Sequence, residues 1–393
     1  MDFEVVIIGS GVTGSLLAAL LSSKGLKVCL IDKKGPLNID KNQKYTGKTA
    51  ALNLFSLNII KEMRLWEALM PEATRFDKLY VWDGEGSSSV NFSASDIQED
   101  NLGFVVSNNS LLISLRKLLS NLDSLSFMFD QEVVEIKSNK KFTEIYTSNG
   151  EKITSNLIVG ADGSRSSVRQ LLNIRSRTWS YNQTAFVASL KSEGSHENTA
   201  RQVFTKEGPL ALLPFDDPSG PGLSLIWSVR DELSKAIKEV SKDDFLKILE
   251  SKTERVLGNL QLSSEFFSFP LKHLHAKEYY FKRTVLVGDA AHTIHPLTGQ
   301  GLNLGLADAY SLQEILIQAR RKGLDLGSEE VLSKYQKTRQ TPNMLMAAFV
   351  QLFKDGFEDK NPWIKFGRNL AFQVTTQNKW LKRKFIKEAA GLI

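Results

Sequence analysis

Residues 3–9, Phe-Glu-Val-Val-Ile-Ile-Gly, are apolar almost without a break and end on glycine. That is the pattern of a strand buried on both faces of a parallel sheet. Over 12–23, Leu16, Leu17, Leu20 and Leu21 recur at helical spacing, and Gly25 stops the helix. A second short apolar run, 27–32, completes a strand–helix–strand unit of about 30 residues.

The pattern predicts a helix over 108–120, with Leu111, Leu112, Leu115, Leu118 and Leu119 on one side. Strands follow at 131–137 and 142–147, then a turn at Ser148-Asn149-Gly150 and a buried strand at 155–161. From 178 to 280 the texture changes to short alternating runs, with prolines at 209, 214, 218 and 221 and one helix near 242–256. This predicts a mostly antiparallel sheet. The buried-strand pattern returns at 284–288, a glycine-rich loop and helix follow, and the chain reads as helical from about 329.

Strand–helix texture thus appears three times with other material between. The expected fold is α/β, with a discontinuous Rossmann-like domain built from 1–75, 101–177 and 281–328. Residues 76–100 and 178–280 are expected to form a β-sheet substrate domain, and 329–393 a helical region.

Composition narrows the class. The chain has 393 residues, 42% hydrophobic and 24% charged, with a net charge of +6. That is ordinary for a folded protein of two or three domains and excludes global disorder. Cys29, the single cysteine, excludes an intramolecular disulfide and a multi-cysteine metal site, and inside the second strand it reads as buried core. No apolar run approaches the ~18–20 residues that span a bilayer. Asp2 and Glu4 before the first apolar stretch argue against a secretory signal, so a cytoplasmic protein is expected. Zinc-finger spacing, a basic zipper and an aromatic–glycine RNA signature are all missing from the sequence, and nucleic acid is not an expected partner.

Three motifs carry chemistry. Gly9-Ser10-Gly11-Val12-Thr13-Gly14 lies between strand and helix, and Asp32 closes the next strand. Glycines there serve a tight turn, close approach to a pyrophosphate and helix–strand packing, while the acid reaches ribose hydroxyls. This motif alone does not separate FAD from NAD. Next, Leu157-Ile158-Val159-Gly160-Ala161-Asp162-Gly163 puts a carboxylate at the carboxyl edge of a sheet, where ligands bind. Asp162 equally fits an Asx-turn or a helix cap. Finally, Gly288-Asp289-Ala290-Ala291-His292 is followed by Pro296-Leu297-Thr298-Gly299-Gln300-Gly301-Leu302-Asn303-Leu304-Gly305. Asp289 can accept hydrogen bonds from a polyol, and Gly299 and Gly301 let backbone pass flat against a planar ring. A helix beginning near Leu302 would aim its positive end at a reduced flavin.

Together these motifs resemble the flavin-dependent aromatic hydroxylases with the para-hydroxybenzoate hydroxylase fold. Within them the chain resembles the ubiquinone-biosynthesis hydroxylases of polyprenyl phenols. Leu102–Asn108, Tyr181–Ala185, Gln202–Thr205 and Gly208–Pro214 match that subgroup too. The resemblance implies that Gly9, Gly11, Val12, Thr13 and Gly14 meet the FAD pyrophosphate, and Asp32 with Lys33 the adenosine ribose. It implies further FAD contacts at Lys48, Ala51, Asn108, Asp162, Gly163, Gly288, Asp289, Pro296, Gly299, Gln300, Gly301, Leu302 and Asn303. Lys48 and Ala307 stand where the family commonly has Arg, and Asp32 where it usually has Glu.

The same resemblance implies chemistry through a C4a-hydroperoxyflavin formed with O2, which hydroxylates an electron-rich phenol. No catalytic side chain is nominated. His292 and His295 are expected to orient backbone, and His273 and His275 to lie on the surface. A second dinucleotide fingerprint is missing from the sequence, so electrons come either from NAD(P)H in passing contact or from a protein donor. Two other readings stay open: a soluble NAD(P)H-dependent phenolic-acid hydroxylase, and a non-catalytic flavin-holding scaffold of a biosynthetic complex. Between Pro362 and Ile393 seven Lys or Arg face one acid, Glu388, with Trp363, Phe366, Leu370, Val374, Leu381 and Phe385 near helical spacing. This basic amphipathic stretch is expected to pack on the enzyme or to dock it on partners of a ubiquinone-biosynthesis complex or on an anionic membrane surface.

Overall fold

Strand Phe3–Ile8 lies between Val28–Asp32 and Lys152–Gly160, parallel to both, in a sheet of eight strands among the described residues. The computed structural model describes residues 1–35, 48–86, 88–217, 220–358 and 378–392. Thr284–Leu286 and Leu125–Phe129 extend this sheet, again in parallel, and Tyr280–Phe281 closes one edge. Val5, Val6 and Ile7 have no exposed surface, as a continuous apolar run in such a sheet requires.

Helices cover it. Val12–Ser22 packs against Asn108–Leu119 and Gln300–Arg321. Leu111, Leu112, Leu115 and Leu119 form the buried face of the second of these, at ~1.5–3 kcal/mol for each buried side chain. Ser107 caps that helix, its Oγ accepting from the N–H groups of Asn109 and Ser110.

Among the described residues nine strands form the second sheet. Its order runs His292–Thr293, Phe267–Ala276, Ser176–Ser192, Leu223–Arg230, Gly208–Pro214, Thr199–Thr205, Lys78–Asp83, Ser89–Ser93, with Leu260–Leu262 paired to Ser176–Ser192. All its pairings are antiparallel except that between Thr199–Thr205 and Lys78–Asp83. One face carries Leu223, Leu225, Trp227 and Val229 and packs with Phe186, Phe245 and Leu249. Alternate residues of the same strand, Ser224, Ile226 and Ser228, point to the other face. A third, small sheet joins Thr49–Asn53, Gly103–Ser107 and Thr74–Phe76.

The helix expected near 242–256 is present as Lys242–Lys252, and a second one that was not expected, Asp231–Glu239, precedes it. Asp231–Glu239 carries its buried residues, Ser234 and Ile237, between exposed charges, too sparse a stripe to read from sequence. Helix Glu329–Glu358 follows. Segment 359–377 lies outside the described residues, and with it Trp363, Lys365, Phe366, Arg368, Leu370 and Val374. Among the described residues no helix is long and apolar enough to cross a membrane.

Candidate active site

At the carboxyl end of the parallel sheet the three motifs meet. Gly9 has φ +107°, and a Cβ there would lie 2.4 Å from the Ala161 carbonyl oxygen and 2.7 Å from Asp162 N. Only glycine lets the first and second motifs touch this way. Around a Cβ placed on Gly11 there is no heavy atom within 4 Å, so the loop faces open space there. Helix Val12–Ser22 begins without a side-chain cap, leaving its first N–H groups free toward that space. Val12 packs on the core, and Gly14 lies against Gly9.

Asp32 is held from behind. Its Oδ2 accepts from Ser10 N and Ser10 Oγ, both at 2.6 Å, and its Oδ1 from Lys34 N at 2.9 Å. Lys33 beside it is exposed. Asp162 acts as a cap: its Oδ2 accepts from Ser167 N, Ser167 Oγ and Val168 N. Its Oδ1 is buried with no partner among the described residues, so half of the carboxylate is unfilled there. Gly163, at φ +80°, follows it. Buried Arg169 ties this loop to the third motif, donating 2.8 Å bonds to the Ala290 and Ser164 carbonyls.

Around the third motif the contacts are dense. A methyl on Gly288 would lie 3.2 Å from Thr13 Oγ1 and one on Gly305 2.7 Å from it, so Thr13 is wedged between strand end and helix. Asp289 emerges between them. Its carboxylate is solvent-accessible and receives no hydrogen bond from a described residue, while its main-chain oxygen accepts from Thr293 Oγ1. The surrounding protein pushes its carboxyl up, with His292 and Lys48 pulling the other way. An acceptor left open among protein walls calls for hydroxyl donors.

Beneath it lies Asp308, fully buried. Its Oδ2 accepts from Gly288 N at 3.0 Å and His292 Nε2 at 2.6 Å, and its Oδ1 from Arg339 Nε at 2.8 Å and Asn343 Nδ2 at 3.0 Å. Burial pushes this carboxyl up, but His292, Arg339 and Asn343 outweigh it and hold it well below the usual carboxylate range. Sequence reading passed over Asp308. The signal was there: one acid on a stripe with Leu306, Ala309 and Leu312 demands buried partners.

The ring loop is pinned from both sides. Helix Gln300–Arg321 starts at Gln300, two residues before the expected start, behind Gly299 at φ +62° and without a side-chain cap. Asn303 Nδ2 donates to the Ala51 carbonyl at 2.8 Å, and its Oδ1 accepts from Asn53 N at 3.1 Å. Its side chain therefore straps the small sheet to the helix. Gln300 Nε2 donates to the Ala389 carbonyl, Leu302 packs on the core, and a Cβ on Gly301 would meet nothing within 4 Å. His295 Nδ1 accepts from Leu297 N and its Nε2–H donates to Gln183 Oε1. Burial, with Lys354 nearby, pushes this imidazole down to about 3, so it stays neutral.

Opposite the loop stands the other face of the second sheet, with Ser228 buried in it. Gln202, Pro209, Ala211, Ile226 and Ser228 line a cleft against Pro296 and Leu297. Lys48 reaches this region, its Nζ 4.8 Å from the centre of the Phe269 ring, and its carbonyl accepts from Asn108 N. Asn108 Oδ1 is buried without a partner among the described residues. The histidines expected on the surface are not there. His273 is 5% exposed, stacked on Trp179 at 3.6 Å, and His275 is half-buried with both ring nitrogens unpartnered among the described residues. Their strand is flanked by Ser176–Ser192 and His292–Thr293, and burial pushes both imidazoles down to about 4. Cys29 is buried, its thiol pushed up to about 12 by burial. Among the described residues no three His, Cys, Asp or Glu are grouped to hold a metal ion.

Free helix starts, an open carboxylate and bare glycine backbone on one sheet edge define a flavoprotein of the dinucleotide-binding class. The chain belongs to the FAD binding domain family, whose model matches residues 2–349, and it is an FAD-dependent monooxygenase. It is 31% identical over 390 residues to ubiquinone hydroxylase UbiL of Rhodospirillum rubrum, covering 99% of this chain and 90% of that one. It is 30% identical to 3-demethoxyubiquinol 3-hydroxylase of Escherichia coli, covering 99% and 98%. Its fold is shared with p-nitrophenol 4-monooxygenase of Pseudomonas putida, at TM-score 0.80 and 17% identity over 99% of this chain and 98% of that one.

Asp289→Ala removes the open acceptor without touching the Asp308 cluster. A hydrogen bond to a charged group contributes ~1.5–3 kcal/mol, so FAD affinity should fall roughly tenfold or more while the melting temperature of the apoprotein holds. Flavin-fluorescence titration reads this directly, and an unchanged affinity removes Asp289 from the site.

Proposed function

We propose that this chain hydroxylates the aromatic ring of a polyprenyl phenol in ubiquinone synthesis. The observation that carries the reading is the cleft between Pro296-Leu297 and the sheet residues Gln202, Pro209, Ala211, Ile226 and Ser228. Pro296 and Leu297 in its wall lead directly into the Gly299–Asn303 backbone, and its largely apolar lining suits the edge of an aromatic ring. The names of the ubiquinone hydroxylases that the chain resembles over nearly its whole length support the same substrate class.

When bound and reduced, FAD supplies the electrons that activate O2 for transfer of one oxygen atom to the ring. The side chains of this chain seat and shield that chemistry. The Gly9–Gly14 loop and Asp32 take the adenosine and pyrophosphate, and Asp162 Oδ1 and Asp289 offer acceptors to hydroxyls. Gly299 to Asn303 lie along the ring system, with the Gln300 helix start contributing a partial positive charge of about +0.5. Neutral His295 fixes the loop through Leu297 N–H and adds no charge beside the substrate. Lys48 links the two regions, its charge acting on Asp289 and its Nζ standing over the Phe269 ring of the second sheet.

Docking on an anionic bilayer belongs to the same proposal. Helix Lys379–Ala389 buries Ile386 beside Leu54, Ala94, Ile97 and Leu102, and its Lys382 pairs with Asp96 at 2.7 Å. Arg383 Nε donates to the Asp96 carbonyl. Those two cations brace the protein. Lys379, Lys384 and Lys387 stay exposed, beside Trp380 at 70% exposure, and the Phe385–Phe349 contact joins this surface to Leu345 and Leu352, at 61% and 71%. Apolar anchors rimmed by lysines match a lipid interface, at ~1 kcal/mol for each cation.

Purified protein given FAD, a reductant, O2 and a prenylated phenol should yield a product one oxygen atom heavier by mass spectrometry. Reductant consumption that gives only hydrogen peroxide, with every phenol tried, overturns the proposal. For the docking part, Lys379→Gln, Lys384→Gln and Lys387→Gln combined should largely abolish co-sedimentation with anionic liposomes at low salt while FAD content is kept. If wild type and variant sediment alike, the surface docks something else.

A further inference from the structure

Arg116 takes no part in any motif, yet it reaches the first one. It lies in the last turn of helix Asn108–Leu119, and its Nη2 donates to Ser10 Oγ at 2.6 Å and to the Ser10 carbonyl at 3.4 Å. Ser10 Oγ in turn donates to Asp32 Oδ2. Because the Ser10 oxygen accepts from Arg116, its own proton is committed to Asp32, and the order of donors along the chain is fixed.

The guanidinium lies over the Phe129 ring, 4.6 Å from its centre, and Phe129 is the register partner of Asp32 on the neighbouring strand. One flat side is therefore filled by an aromatic ring directly beside the carboxylate. Among the described residues the donors at Nε and Nη1 have no acceptor, and Nε is buried. A half-buried cation with unfilled donors, beside a carboxylate already held in place from Ser10 and Lys34, is built to meet a polar ligand.

We propose that Arg116 is a positioning residue for the adenosine half of the cofactor, acting through Ser10 to orient and charge-balance Asp32. Its unfilled donors face the same half. The inference rests on the FAD reading above and gives this chain its preference for a dinucleotide over a shorter flavin. Lysine would keep the charge, but it would lose the flat stack on Phe129 and the paired reach to Ser10.

The test compares ligands that share the ring system and differ in the adenosine half. Apoprotein is titrated with FAD and with riboflavin, following flavin fluorescence. In Arg116→Ala the FAD dissociation constant should rise at least tenfold while that for riboflavin stays within twofold. Ser10→Ala should shift FAD in the same direction, and Arg116→Lys should recover only part of the loss. FAD affinity within twofold of wild type in Arg116→Ala overturns the inference. So does an equal weakening of FAD and riboflavin, which marks a general structural role. Should Arg116→Ala fail to fold, Ser10→Ala decides by the same two readings. Wild-type protein that binds no FAD overturns the cofactor reading itself, a result distinct from all of these.

Discussion

Everything at the sheet edge depends on one buried carboxylate. Asp308 accepts four hydrogen bonds, from Gly288 N, His292, Arg339 and Asn343, with no solvent exposure. A lone ionised carboxylate there would be strongly disfavoured. Filled on both oxygens and paired with Arg339, it becomes a fixed point. Through Gly288 it sets where the strand ends and so where Asp289 points. Through His292 it holds the loop, and through Arg339 and Asn343 it binds helix Glu329–Glu358 to that loop.

Around that point the protein closes distance that the sequence leaves open. Gly9 touches Ala161 across 152 residues because neither a side chain nor an ordinary backbone angle stands between them. Thr13 fills the gap between Gly288 and Gly305, and Asn303 straps the small sheet to the ring loop. The end of helix Lys379–Ala389 closes the same corner, its Ala389 carbonyl accepting from Gln300 and from Asn53. The element with the exposed lysines is thus also hydrogen-bonded to the start of helix Gln300–Arg321.

The central parallel strands were legible because strands buried on both faces leave unbroken apolar runs, and the glycine motifs because few other residues fit such turns; the parallel strand Leu125–Phe129, exposed along much of its length, was missed. What escaped was non-local. Asp308 finds Arg339 31 residues on, and Arg116 finds Ser10 106 residues back, pairings that no local pattern announces. His273 and His275 alternate with apolar neighbours as edge residues do, and their burial comes from strands before and after them in sequence. Helix Asp231–Glu239 was hidden by its charge, since tertiary contact supplied what its thin apolar stripe did not.

Asp308→Asn tests this account most directly, because it keeps the shape and removes the charge. The amide would set its own N–H donors against those of two partners and leave Arg339 buried without its counter-ion, at a cost of about 3–5 kcal/mol. The FAD dissociation constant and the melting temperature of the variant are to be measured beside wild type. The account predicts that the melting temperature drops and that FAD binds at least tenfold more weakly at temperatures where the variant is still folded. Wild-type values for both would contradict it.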